Sequence, residues 1–149
     1  MPNQGSWKLA PGLNNVGSYQ VSGQPFATGS CVAPKSGSAL VVRFPQVTKW
    51  FHIEPHSGSD ASLRVGFSEV GLFDRQAASF TGSRGAHFRI HASSSFCRPI
   101  EMKVSELWFT SEDSAGTITF DIIAGLTGIP AGSTMTEQGA NWSGSAGVG

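Results

Sequence analysis

The residues best suited to chemistry in this chain are its four histidines and a scatter of carboxylates. His52, Glu54 and His56 alternate, so a strand would place all three side chains on one face. At strand rise His52 and His56 then stand about 13 Å apart. One ion held by bonds of about 2 Å cannot span that gap. His87 and His91 have the same spacing and fail for the same reason. Glu101, Glu106, Glu112, Asp113 and Asp121 are carboxylates of the kind that strands and turns ordinarily carry. A glycoside hydrolase needs two of them across a cleft, which no spacing here encodes. Gly82-Ser83-Arg84-Gly85 is a turn rather than a phosphate loop. The run Gly144-Ser145-Ala146-Gly147 lacks the strand before it and the helix after it that a nucleophile elbow requires. The expectation is therefore a protein that is not an enzyme, with no catalytic residue, no metal and no cofactor.

One metal arrangement stays open, in which His52 meets His87 or His91 from a second strand. A cupin-like site of that kind wants two histidines one residue apart with a glutamate a few residues on, and that pattern is missing. The bland reading of all four histidines is that they face solvent.

Exposed aromatics carry more information. Trp50 and Trp108 fall opposite the aliphatic rows of their segments. Tryptophan is strongly buried on average, so one reading has them covering an edge of the core. The other reading makes them subunit-interface anchors, where aromatics are enriched, or platforms for sugar rings. Trp7 and Trp142 lie in segments without a core pattern and fit contacts with a neighbour.

The elements that must position these residues read as strands. The stretch Ile100 to Leu126 holds two alternating runs around Ser111-Glu112-Asp113-Ser114-Ala115-Gly116. Leu107 and Phe109 share one face, and Ile118, Phe120 and Ile122 share another. This predicts a long β-hairpin with one oily face that a second sheet must cover. Before it, Tyr19–Val21 and Phe26–Val32 read as short strands. Leu40, Val42 and Phe44 line one face, and so do Val47, Lys49, Phe51 and Ile53, with Thr48, Trp50, His52 and Glu54 opposite. The two runs are adjacent strands or a sharp corner between sheets. Leu63, Val65 and Phe67, then Phe88 and Ile90, complete the inward rows. Residues 69–85 read as a long surface loop with one strand turn near Phe80.

Seven or eight short strands with no helix of ordinary length predict an all-β protein. The architecture is a jelly-roll-like β-sandwich with extended N- and C-terminal arms, and an immunoglobulin-like sandwich is the second choice. The expected organisation is an N-terminal arm over 1–17, the sandwich over 18–126, and a Gly/Ser-rich C-terminal arm over 127–149 that orders only on a partner. Trp7, Leu9 and Leu13 in the first arm, and Ile129, Met135 and Trp142 in the second, are the expected contacts with a neighbour.

Composition bounds the partners. The chain has 149 residues, enough for one domain with a real core. Lysine plus arginine equals aspartate plus glutamate at ten each, which argues against a nucleic-acid partner. Only 13% of residues are charged. That is well under the roughly 25% of ordinary soluble domains, and it suits a surface largely covered by partners. Cys31 and Cys97 permit one disulfide at most and read as free thiols. No basic segment leads into an apolar run at the N-terminus, and no apolar stretch approaches 18 residues, so neither a Sec signal peptide nor a transmembrane helix is expected, and no membrane partner.

Three phrases carry a resemblance: LRVGFSEVGL (Leu63–Leu72), KVSELWF (Lys103–Phe109) and TITFDIIAGLTGIP (Thr117–Pro130). Together the chain resembles small structural proteins of tailed bacteriophages, among them jelly-roll capsid decoration or cement proteins and knob or fibre-base components. The resemblance implies a virion protein of the capsid surface, made in the host cytoplasm. It also implies a homotrimer whose arms grip the major capsid protein. The rival reading is a carbohydrate-binding or host-adhesion module of the same fold.

Overall fold

The computed structural model describes residues 12–20, 23–58, 61–73, 85–91 and 98–149. Trp7, Leu9, Cys97 and the expected strand turn near Phe80 lie outside them. Seven strands build two antiparallel sheets: β1 (Gln24–Ala33), β2 (Leu40–Arg43), β3 (Gln46–Gly58), β4 (Ser62–Gly66), β5 (His87–His91), β6 (Glu106–Ser111) and β7 (Ile118–Pro130). One sheet has the order β1-β7-β3 and the other β2-β6-β4-β5. An isolated antiparallel bridge sets Ile100 beside Phe51 of β3, through Ile100 N–H to Phe51 O at 2.7 Å and Phe51 N–H to Ile100 O at 3.0 Å. Ile100 thus stands where an eighth strand would, on the open side of β3. Two four-position sheets, with the chain crossing between them in this order, make a jelly roll.

The rows of apolar residues meet between the sheets. Phe51, Leu63, Val65, Leu107, Phe109, Ile118, Phe120 and Ile122 are fully buried there. Each was on an inward row by alternation. Phe109 of β6 and Phe120 of β7 stack at 4.4 Å between ring centroids, one from each sheet.

That contact corrects the expected hairpin. β6 and β7 do not pair; they belong to different sheets and face each other across the core. The polar turn is an arch, not a hairpin loop. Either arrangement satisfies the same alternation, but the arch buries one oily row directly on the other. The break at Pro45-Gln46 resolves in the same sense, as a corner carrying the chain from β2 to β3 in the opposite sheet.

Two smaller expectations change. Thr48 is buried, although alternation put it outside. The β3–β7 register shifts on both sides of it, and such bulges re-aim side chains. Its hydroxyl donates to Met102 O at 2.8 Å and accepts from Val104 N–H at 3.1 Å. Gly17–Gln20, which includes part of the expected Tyr19 strand, is a single helical turn, α1. Asn15 Oδ1 accepts from Gly17 N–H just before it.

The largest correction concerns residues 127–149. β7 runs on to Pro130 and buries Ile129 completely. A 3-10 turn (Ala131–Thr134) leads into a small hairpin of β8 (Met135–Thr136) and β9 (Gly139–Ala140). The segment is folded onto the sandwich by Asn141, which is buried. Asn141 Oδ1 accepts from Ser105 N–H at 2.8 Å and from Ser105 Oγ at 3.1 Å. Its Nδ2 donates to Glu106 O at 2.6 Å and to Phe67 O at 3.4 Å. One amide therefore ties the C-terminal segment to the start of β6 and the end of β4. The segment needs no core of its own because it borrows the sandwich's polar edge.

Candidate binding surfaces

Two surfaces stand out, one on each outer face of the sandwich. The first is the outer face of β1-β7-β3. Register aligns Pro25, Gly125 and Trp50 in one row, and Ala27, Ile123 and His52 in the next. Pro25 and Ala27 are exposed, Trp50 is half-buried, and Ile123 is 48% exposed. Val32, farther along β1, is 50% exposed. An outer sheet face ordinarily carries polar residues at these positions. Here two consecutive rows hold no charged residue. Trp50 lies across from Gly125, where an aromatic covers a position with no side chain of its own. This explains why it is only partly exposed.

One end of this face is polar. Asp121 Oδ1 accepts from Ser30 N–H at 2.7 Å and faces His56 Nε2 at 3.2 Å. Ser30 takes a left-handed φ of 56° at the register break between Thr28 and Cys31, which aims its N–H outward. That N–H bond, and then the His56 contact, hold the Asp121 carboxyl below its usual range. Glu54 pairs across from Asp121 in register, and its carboxylate lies 3.7 Å from His52.

The second surface is a cleft of about 640 Å³ on the outer side of the four-stranded sheet. It runs between β6, the short helix α2 (Glu69–Leu72) and the C-terminal segment. Trp108 and Glu106 come from β6, Glu69 and Val70 from α2, and Gln138 and Ser143 from the C-terminal turns. Trp108 is held in place: its Nε1–H donates to Glu106 Oε1 at 3.0 Å, while Glu106 Oε2 meets Arg43 at 3.2 Å. In register Trp108 stands between Val41 and Gly66, again opposite a glycine. The short helix is anchored at its start, where Ser68 Oγ accepts from Gly71 N–H and donates to Val148 O. The cleft therefore exists only because the C-terminal segment is docked.

Just past β6, Glu112 accepts from Arg64 at 2.9 Å and also from Arg89. Partial burial pushes its carboxyl up, but the two guanidinium groups outweigh that and hold it below its usual range.

The expected site residues are distributed as follows. Trp50 and Trp108 lie on opposite outer faces, so a single flat interface does not hold both. Ile129 is a core residue and unavailable to a neighbour. Met135 and Trp142 are exposed, Met135 on β8 and Trp142 just past β9, in a folded segment rather than a loose arm. Leu13 is half-buried. His52 lies on β3 and His87 and His91 on β5, in different sheets, so the pairing of a composite metal site does not form. Among the described residues no three His, Cys, Asp or Glu side chains converge for a metal ion. Among them Cys31 is a free thiol. No helix of the described residues is long and apolar enough to cross a membrane. Sequence reasoning missed Asn141, Gly66 and Gly125. The two glycines show only once the strands are in register, and Asn141 only once the C-terminal segment is folded back.

No protein-family model matches this chain, and comparison with curated proteins finds no match either.

Proposed function

We propose that this chain is a bacteriophage capsid decoration, or cement, subunit that assembles as a homotrimer and binds the major capsid protein at the capsid surface. The observation that supports this reading is the pair of adjacent rows on the outer face of β1-β7-β3 that hold Pro25, Ala27, Ile123 and Trp50 and no carboxylate, lysine or arginine. Such a face costs solubility unless something covers it. A rigid sandwich with a self-complementary or partner-complementary face is what a cement subunit needs. A cyclic trimer is heterologous, so this face would meet a different surface of the next copy. Binding only to the assembled shell then stabilises the shell by mass action.

The test is the native mass by light scattering, for wild type and for Ile123→Lys, together with sedimentation on assembled capsids. The reading expects a wild-type trimer that co-sediments with capsids, and an Ile123→Lys chain that is folded but monomeric or unable to bind. A wild-type monomer that ignores capsids would refute it.

A further inference from the structure

The Trp108 cleft has no role in the proposal above, and its chemistry is specific. Its lining sets apolar Trp108 and Val70 beside polar Glu69, Glu106, Gln138 and Ser143. At about 640 Å³ it falls inside the range of roughly 300–1,000 Å³ typical of small-molecule sites. We infer that this cleft is a saccharide-binding site, in which one sugar ring lies on the Trp108 indole and its hydroxyls meet Glu69 and Gln138.

The fit follows from the two halves of a pyranose. Its C–H face is apolar and matches an aromatic plane, while its rim of hydroxyls needs donors and acceptors in the plane of the ring. Trp108 is already oriented by Glu106, so little side-chain freedom is lost on binding. Glu106 is itself paired with Arg43, which offsets its negative charge. Glu69 and Gln138 are exposed. Glu69 supplies an acceptor-only carboxylate, and Gln138 both a donor and an acceptor. Ser143 donates its hydroxyl to Ala140 O at 2.9 Å, so it offers a ligand its lone pairs. The competing guest for a tryptophan beside carboxylates is a cation. A single aromatic, and a glutamate already bound to arginine, make the cleft poorer for that guest.

The test is a ¹⁵N NMR titration of the full chain, following the Trp108 indole N–H. The probes are methyl glycosides of glucose, galactose, mannose and N-acetylglucosamine, and tetramethylammonium as the cationic control. The inference expects saturable shifts of the Trp108 signal with at least one glycoside, at millimolar affinity. Binding should fall at least about tenfold in Glu69→Ala, an exposed change that leaves the fold intact, and vanish in Trp108→Ala, where the backbone amides of Val70 and Gly139 in the cleft lining replace the lost indole as reporters. No saturable shift with any glycoside overturns the inference. So does binding that survives Glu69→Ala and Trp108→Ala, or a response to tetramethylammonium alone.

Discussion

Replacing Asn141 by alanine removes a side chain that joins the C-terminal segment to both the end of β4 and the start of β6. The amide makes four hydrogen bonds, of which those to Ser105 N–H at 2.8 Å and Glu106 O at 2.6 Å are short. Truncation leaves these two main-chain groups buried without that partner. Each costs about 1–3 kcal/mol when unsatisfied. Asn141 also has φ of 52°, a left-handed conformation that asparagine tolerates better than alanine, which adds about 1 kcal/mol. The expected loss is about 3–7 kcal/mol in total. For a chain of this size that is a fall in Tm of roughly 6–28 °C. Asn141→Gly keeps the backbone freedom and loses only the amide, so it should recover about 1 kcal/mol of the alanine penalty. Urea denaturation measures the loss, and limited proteolysis locates it. The alanine chain should be cut within residues 131–149 long before the sandwich is. A loss under about 1 kcal/mol, with the segment still protected, would refute the claim that Asn141 holds it.

Phe120→Ala removes the ring that packs on Phe109 across the sheets and should cost about 3–5 kcal/mol in urea denaturation. Ile123→Ala, on the outer face of the same strand, should change stability by under about 0.5 kcal/mol in the isolated chain. Gly71→Ala would drive a Cβ into the Val148 carbonyl and within 2.9 Å of the Ala86 carbonyl. It should cost about 1–3 kcal/mol and loosen the last residues, visible as faster amide exchange there. The Glu112 carboxyl should titrate below its usual 4.5, because protonation breaks its bonds to Arg64 and Arg89. Its folded pKa is depressed, so its contribution is complete above that usual value and is lost as pH falls through the folded one. Carboxyl NMR titration reads the pKa directly. Glu112→Gln should flatten the stability profile below about pH 4.5.

Much of this was legible in the alternation of single residues. Leu63, Val65, Leu107, Phe109, Ile118, Phe120 and Ile122 all stand on the inward rows that period two assigns them, because a strand has only two faces and one of them must be dry. Trp50 and Trp108 fall outside those rows, as alternation places them, and both are half-buried on the outer faces. Thr48 breaks the rule because a register shift rotates it inward, and a shift depends on both strands together.

Partnership was decided elsewhere. The backbone groups that pair strands are the same in every residue, so no residue type records whether β7 pairs with β6 or lies opposite it. The arch, the order β1-β7-β3 and the cleft under Trp108 follow from how the oily rows close on one another. The C-terminal segment makes the same point from the polar side. Its glycines and serines have too little apolar surface to fold alone, and composition reads them as a loose arm. Asn141 finds its four partners only when β4 and β6 are already side by side. The sequence by itself determined which side of each strand is dry. The tertiary structure alone decided which dry sides meet, because hydrogen-bond partners and buried polar contacts exist only between segments that folding brings together.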